Sequence, residues 1–103
     1  SESSGHVKKR VQKARDIQLR RFKKTKITSN SEMTNRDIKK FCDLSDECLN
    51  LLKLAVSKMN LSARSYHRII KIGRTIADLE GSHAIKPSHI AEALQYRPKL
   101  ETL

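Results

Sequence analysis

Residues 61–81 read Leu-Ser-Ala-Arg-Ser-Tyr-His-Arg-Ile-Ile-Lys-Ile-Gly-Arg-Thr-Ile-Ala-Asp-Leu-Glu-Gly, and this stretch decides the fold. Ser62 is suited to the N-cap of a helix, where its hydroxyl accepts from an amide two or three residues on, and Leu61 and Tyr66 occupy the two positions of a hydrophobic staple. Gly81 is suited to the left-handed residue that closes the helix. At about 100° per residue, Tyr66, Ile69, Ile70, Gly73, Ile76 and Ala77 fall on one side, and Arg64, His67, Arg68, Lys71 and Arg74 on the other. The spacing predicts a helix with one packing face and one face turned to a partner or to water.

Working upstream, Ser45 caps a helix whose first turn carries Asp46 and Glu47, where the dipole favours negative charge. Leu49, Leu51, Leu52, Ala55, Val56 and Met59 give that helix a wide apolar face, read as core, and Asn60 ends it. Before it, Thr34 caps a short helix through Cys42 with Asp37 in a capping box, and Ile38 and Phe41 face inward. Residues 25–33 are polar and poor in core formers and read as a loop. From Gly5 to about Lys24, Val7, Val11, Ala14 and Ile17 recur at helical spacing among nine Lys and Arg, a basic amphipathic helix. Downstream, Pro87 suits the first turn of a last helix marked by Ile90, Ala93 and Leu94, which stops near Arg97 because Pro98 disfavours helical geometry before it. No strand pair and no repeat is visible. The expected fold is all-α: a small helical bundle with a basic helix attached at its N-terminus.

A chain of 103 residues has room for one small core. The sequence begins with Ser1, and its first methionine is Met33, which suggests a processed product or an excised piece. No segment approaches the roughly 18 apolar residues of a membrane span, and no signal peptide is visible, so a soluble cytoplasmic protein with no membrane partner is expected. Cys42 and Cys48 are too few and wrongly spaced for a zinc module or a disulfide framework and read as buried thiols in a reducing compartment. His6, His67, His83 and His89 show no metal-ligand spacing, and no metal is assigned. The formal charge of +11 is uneven: residues 1–40 hold 13 Lys and Arg against 4 Asp and Glu. The charge that would attract a partner is therefore mostly N-terminal.

No phosphate loop, no nucleophile–base constellation and no carboxylate pair in an apolar setting can be found, which argues against an independent enzyme. Arg64 is the candidate that stands out. It lies in the first turn of its helix, where the dipole disfavours a cation by about 0.3–1 kcal/mol and where free amides form a ready anion site. It is either a surface arginine tolerated at that small cost or a phosphate contact, and Arg68 and Lys71 extend the same stripe. The basic helix likewise has two readings. It is a docking helix with a solvated charged face, or Lys8, Lys9, Arg10, Lys13, Arg20 and Arg21 contact nucleic-acid phosphates. Phe22 alone offers an aromatic face for stacking, and nothing supports sequence-specific recognition.

Three blocks, Leu61–Ile69, Arg74–Gly81 and His89–Arg97, together with Glu2-Ser3-Ser4, Arg10-Val11, Ala14-Arg15 and Gln18, agree in order and spacing with one known family. By these blocks nearly the whole chain resembles the C-terminal domain of the magnesium-chelatase-like AAA+ ATPases, the YifB and ComM group of bacteria. The likeness is weakest from Lys26 to Glu32. The resemblance implies a basic helical arm over residues 1–26, a loop over 27–33 and a helical lid domain over 34–103. It implies that Arg64, at the arginine of the Leu-Ser-Ala-Arg motif, is the sensor 2 residue that contacts ATP phosphates. ATP and magnesium would serve the full-length parent, with no cofactor expected for the isolated piece. The phosphate loop, metal-binding carboxylates and arginine finger would lie in a core outside this chain, and neighbouring subunits, as a hexamer, would be partners. The likeness to the ComM group suggests DNA remodelling as the parent activity, with a non-specific nucleic-acid-binding module as the alternative.

Overall fold

Four of the five helices begin where a serine or threonine side chain takes up an orphan amide, and the last begins on Pro87 instead. The structure, a computed structural model, describes residues 3–96. Among these, α1 spans Ser4–Arg21, α2 Asn35–Phe41, α3 Asp46–Met59, α4 Ala63–Leu79 and α5 Pro87–Leu94, with a 3-10 turn at Asn30–Glu32. Ser45 Oγ accepts from Cys48 N at 3.2 Å and Ser62 Oγ from Ser65 N at 3.1 Å. Thr34 and Asp37 form the full capping box, with Asp37 Oδ2 accepting from Thr34 N at 2.9 Å. Asn60 ends α3 in the left-handed region at φ 54°, and Gly81 follows α4 at φ 72°. There Ser82 N donates to Ala77 O and Gly81 N to Asp78 O, the double bond pattern of a Schellman close.

α4 is the axis of the bundle: α5, α1, α2 and the 3-10 turn all pack on it, and α3 reaches the core mainly through α5. One cluster of buried side chains joins α2, α3, α4 and α5 and takes in Phe22 just after α1, with Leu52, Ile69 and Ile90 wholly buried. Each of those three contributes about 1.5–3 kcal/mol relative to exposure. At Gly73 an added Cβ would lie 3.0 Å from Ile90 Cδ1, so the missing side chain lets α5 approach α4 closely. An isolated parallel bridge between Leu44 and Ile85 ties the α2–α3 connection to the segment before α5.

The structure corrects several sequence expectations. α1 stops at Arg21, and Phe22 is a core residue, 2% exposed, edge-on to Phe41 with ring centroids 5.1 Å apart. It has no free face for a base. The polar segment 25–33 is not merely a connection, because Asn30 and Met33 are buried within it. The apolar face of α3 is narrower than expected: Cys48, Leu52 and Ala55 are buried, whereas Leu49, Val56 and Met59 are exposed on its flanks. α5 ends at Leu94, earlier than expected, because Gln95 and Tyr96 turn back to Glu92 and Ala93; the expected stop at Arg97 and Pro98 lies outside the described residues. No helix among the described residues is long and apolar enough to cross a membrane.

Cys42 and Cys48 are both buried free thiols, as their spacing suggested. Burial pushes the Cys42 thiol up to about 11 from an ordinary 9.0, against a weaker downward pull from Arg74 and Arg21. The folded state thus holds the thiol proton more tightly than the unfolded state. That contribution is complete below pH 9 and is lost as pH rises toward 11. The melting temperature should fall over this window more steeply for the wild type than for Cys42→Ala; parallel curves would remove the thiol from the account.

Candidate functional site

Arg64 is the second residue of α4 and is exposed at the rim of an open groove of about 460 Å³. The groove is lined by Asn35, Ala63, Arg64, His67, Arg68 and Lys71. Positions 64, 68 and 71 meet because they are four and three residues apart on one helix face. The structure thus brings together the three cations that the sequence placed on one stripe. Ser62 Oγ takes up the Ser65 amide and Ser62 O the Tyr66 amide, leaving the Ala63 and Arg64 amides without an intrahelical acceptor.

The lining residues are not equivalent. Lys71 Nζ donates to Ser31 O at 3.3 Å and Met33 O at 3.4 Å, which pins the 3-10 turn to α4. His67 is half-buried with its ring edge-on to Tyr66 at 5.4 Å. Among the described residues no carboxylate lines the groove. An anion entering it would meet Arg64 first, with helix amides behind and further cations deeper. Among the described side chains a divalent cation would find only the Asn35 amide oxygen as a hard ligand there and would have to bring the rest of its ligands with it. Among the described residues no group of three or more His, Cys, Asp or Glu is placed to hold a metal.

Arg74, which the helical wheel set on the same stripe, does not join the groove. It is 4% exposed, and its guanidinium is used up in the interior: Nε donates to Asp78 Oδ1, and the terminal nitrogens donate to Ser82 O and His83 O. Burial pulls its pKa down, and Asp78 opposes that fall. The wheel misled because α1 covers the C-terminal half of the stripe and leaves the N-terminal half open.

Lys8, Lys9, Arg10, Lys13 and Arg20 are exposed along α1. Arg21, grouped with them by sequence, turns inward. It forms a two-pronged pair with Asp78, at 2.8 and 2.7 Å, and also donates to Asn30 Oδ1 at 2.9 Å. Asn30 in turn donates to Asp78 Oδ2 and Thr75 Oγ1, and its own amide donates to Gln18 Oε1. This buried polar knot fastens α1 and the 3-10 turn to α4. Sequence reasoning missed it, although Arg74 and Asp78 lie four residues apart and could have been paired. His89 was missed as well: it is 1% exposed, and its Nδ1 accepts from Lys86 N at 2.9 Å at the start of α5. That bond places the ring proton on Nε2, which lies 3.3 Å from Glu80 Oε1 but makes no hydrogen bond.

With the geometry in place, the chain can be set beside known proteins. Residues 1–97 match the family described as magnesium chelatase, subunit ChlI C-terminal. The chain is 43% identical over 102 residues to the competence protein ComM of Haemophilus influenzae, a match covering 99% of this chain and 19% of that protein. It is 40% identical over 96 residues to the uncharacterized protein YifB of Salmonella typhimurium and 38% identical over 96 residues to YifB of Escherichia coli, each match covering 93% of this chain and 18% of the relative. The chain spans about a fifth of the length of these curated relatives.

Proposed function

This chain belongs to the magnesium chelatase ChlI C-terminal family, and from that premise we propose that it is the lid of a larger AAA+ ATPase of the ComM and YifB type, in which Arg64 reads the phosphates of ATP. The observation that carries the reading is Arg64 itself, an exposed cation held in the first turn of α4 over a groove that no carboxylate lines among the described residues. A lone cation at a helix start is mildly unfavourable, and a phosphate reverses the sign: it is attracted by the guanidinium and by the free amides together. The cost becomes an advantage only when an anion is present.

In this reading Arg68 and Lys71 lend field strength rather than direct contact, because Lys71 already holds the 3-10 turn. The phosphate loop, the ligands of magnesium and the arginine finger belong to the rest of the protein. ATP binds between that core and this lid, in an oligomer whose neighbours approach the same groove. The parent's work is remodelling of DNA driven by ATP. The test is ATP turnover by the full-length parent carrying Arg64→Ala: a marked loss supports the role, and unchanged turnover removes it.

A second reading draws on α1. From Ser4 through Lys13 every side chain is exposed, with no acidic residue among them. Such a helix binds phosphates without sequence preference, and each neutralised phosphate adds roughly −0.9 to the slope of log affinity against log salt on duplex DNA. The 103-residue chain should therefore bind duplex DNA at low salt, and Lys8→Ala with Lys9→Ala and Lys13→Ala should flatten the salt slope by about three. A slope that does not change upon substitution would exclude the helix as the contact.

A further inference from the structure

A second basic concavity lies at the other end of α4, away from Arg64. It is an open groove of about 500 Å³ between the last turn of α1 and the Gly81–His83 turn, lined by Ile17, Arg20, Arg21, Arg74, Gly81, Ser82 and His83. Three of the seven lining residues are arginines and none is acidic. Beneath them Asp78 is the buried counter-charge, shared between Arg21 and Arg74, and on α1 Asp16 lies one helical turn before Arg20. Arg20 is exposed and makes no ion pair among the described residues.

The charge balance decides what this groove can take. Among the described residues three lining guanidiniums face one buried carboxylate, while exposed Asp16 accepts from Gln12 Nε2 at 2.9 Å just outside. The C-termini of α1 and α4 also meet here, each worth about half a negative charge. Counting both at full value leaves about one positive charge within the groove, which the water-screened Asp16 at its edge offsets only in part. The carbonyls of Ser82 and His83, which would otherwise repel an anion, are turned inward onto Arg74. The surface left facing the groove is therefore Arg20, the outer edge of Arg21 and the Gly81–His83 turn.

We propose that this groove is an anion site distinct from the Arg64 groove, taking a phosphate group between Arg20 and the Gly81–His83 turn. Its ligand is either a phosphodiester of a nucleic-acid backbone or a free phosphoryl compound, which share the same recognition chemistry. Arg21 and Arg74 supply the field from a fixed position, since Asp78 and Asn30 hold them. Arg20 closes on the ligand from the solvent side. Lys9, Lys13 and Arg20 follow one another along one side of α1, with Asp16 alone among them acidic, so a strand anchored at the groove meets a net positive path.

The site stands independently of the Arg64 reading, and one titration separates the two. Amide and arginine Nε–H resonances of the 103-residue chain would be followed by NMR as pyrophosphate is added at constant ionic strength against chloride. The expected result is a saturating shift at Gly81, Ser82 and His83 that weakens at least fivefold in Arg20→Ala and in Arg20→Gln and is unchanged in Arg64→Ala. Shifts at Ala63–Ser65 would follow the reverse pattern. A short oligothymidylate forms the second arm: shifts extending to Lys9 and Lys13 identify a nucleic-acid strand as the source, and a response to pyrophosphate alone identifies a free phosphoryl compound. Non-saturating shifts spread over every Lys and Arg, or a response at Gly81–His83 indifferent to Arg20, would overturn the proposal.

Discussion

Asp78→Ala is expected to lower the stability of this chain by about 3–5 kcal/mol, the cost of removing one partner from a buried charged cluster. The carboxylate is wholly buried and accepts from both terminal nitrogens of Arg21, from Arg74 Nε and from Asn30 Nδ2. Without it two guanidiniums face each other across a site that water reaches poorly, and Asn30 loses a buried acceptor. Set against a total of about 5–15 kcal/mol for an ordinary domain, the loss takes much of what there is. For a domain of this size it corresponds to a fall in melting temperature of roughly 12–40 °C. Thermal and urea unfolding followed by circular dichroism would measure it. A change under about 1 kcal/mol would mean that the cluster relaxes into water and that α1 is not fastened as described.

The second large effect is on turnover and leaves the fold intact. Arg64→Ala in the full-length parent is expected to reduce ATP hydrolysis by about tenfold to a hundredfold, the loss of one charge-assisted hydrogen bond worth about 1.5–3 kcal/mol. Arg64 is exposed, so the same substitution in the 103-residue chain should leave stability within about 0.5 kcal/mol. Removing a cation from the first turn would even favour the helix slightly. Arg64→Lys keeps the charge but loses the planar fork and should fall between the wild type and alanine. A turnover loss matched by a stability loss would indicate damage to α4 rather than loss of a phosphate contact.

The helix starts were legible because their causes are local. Ser45, Ser62, the Thr34–Asp37 box and Gly81 each act within a few residues, and each does in the structure what its position suggested. The Arg64, Arg68 and Lys71 grouping was legible for the same reason, since one helix face holds all three. What escaped depends on neighbours far along the chain. Arg21 and Asp78 are 57 residues apart, and Asn30 reaches Asp78 across 48. No periodicity signals either pairing. Arg74 was misplaced because amphipathicity gives the direction of a side chain without giving what covers it; a helix packed over half of a polar stripe turns that half into interior. The width of α3's buried face depended in the same way on how few elements pack against it.

The fastening of α1 has a mechanical consequence. α4 is a straight rod of roughly 25 Å with Arg64 at one end and, near the other, the Asp78 knot that grips the C-terminal half of α1. The first ten residues of α1, Ser4–Lys13, are all exposed. α1, some 27 Å long, is gripped by the knot near its C-terminal end and carries its exposed half away from it. A tilt of α4 by about 10° would sweep its far tip through roughly 5 Å, at the helical rise that sets its length. Motion too small to disturb the core at Arg64 arrives enlarged at the row of lysines on the exposed half of α1.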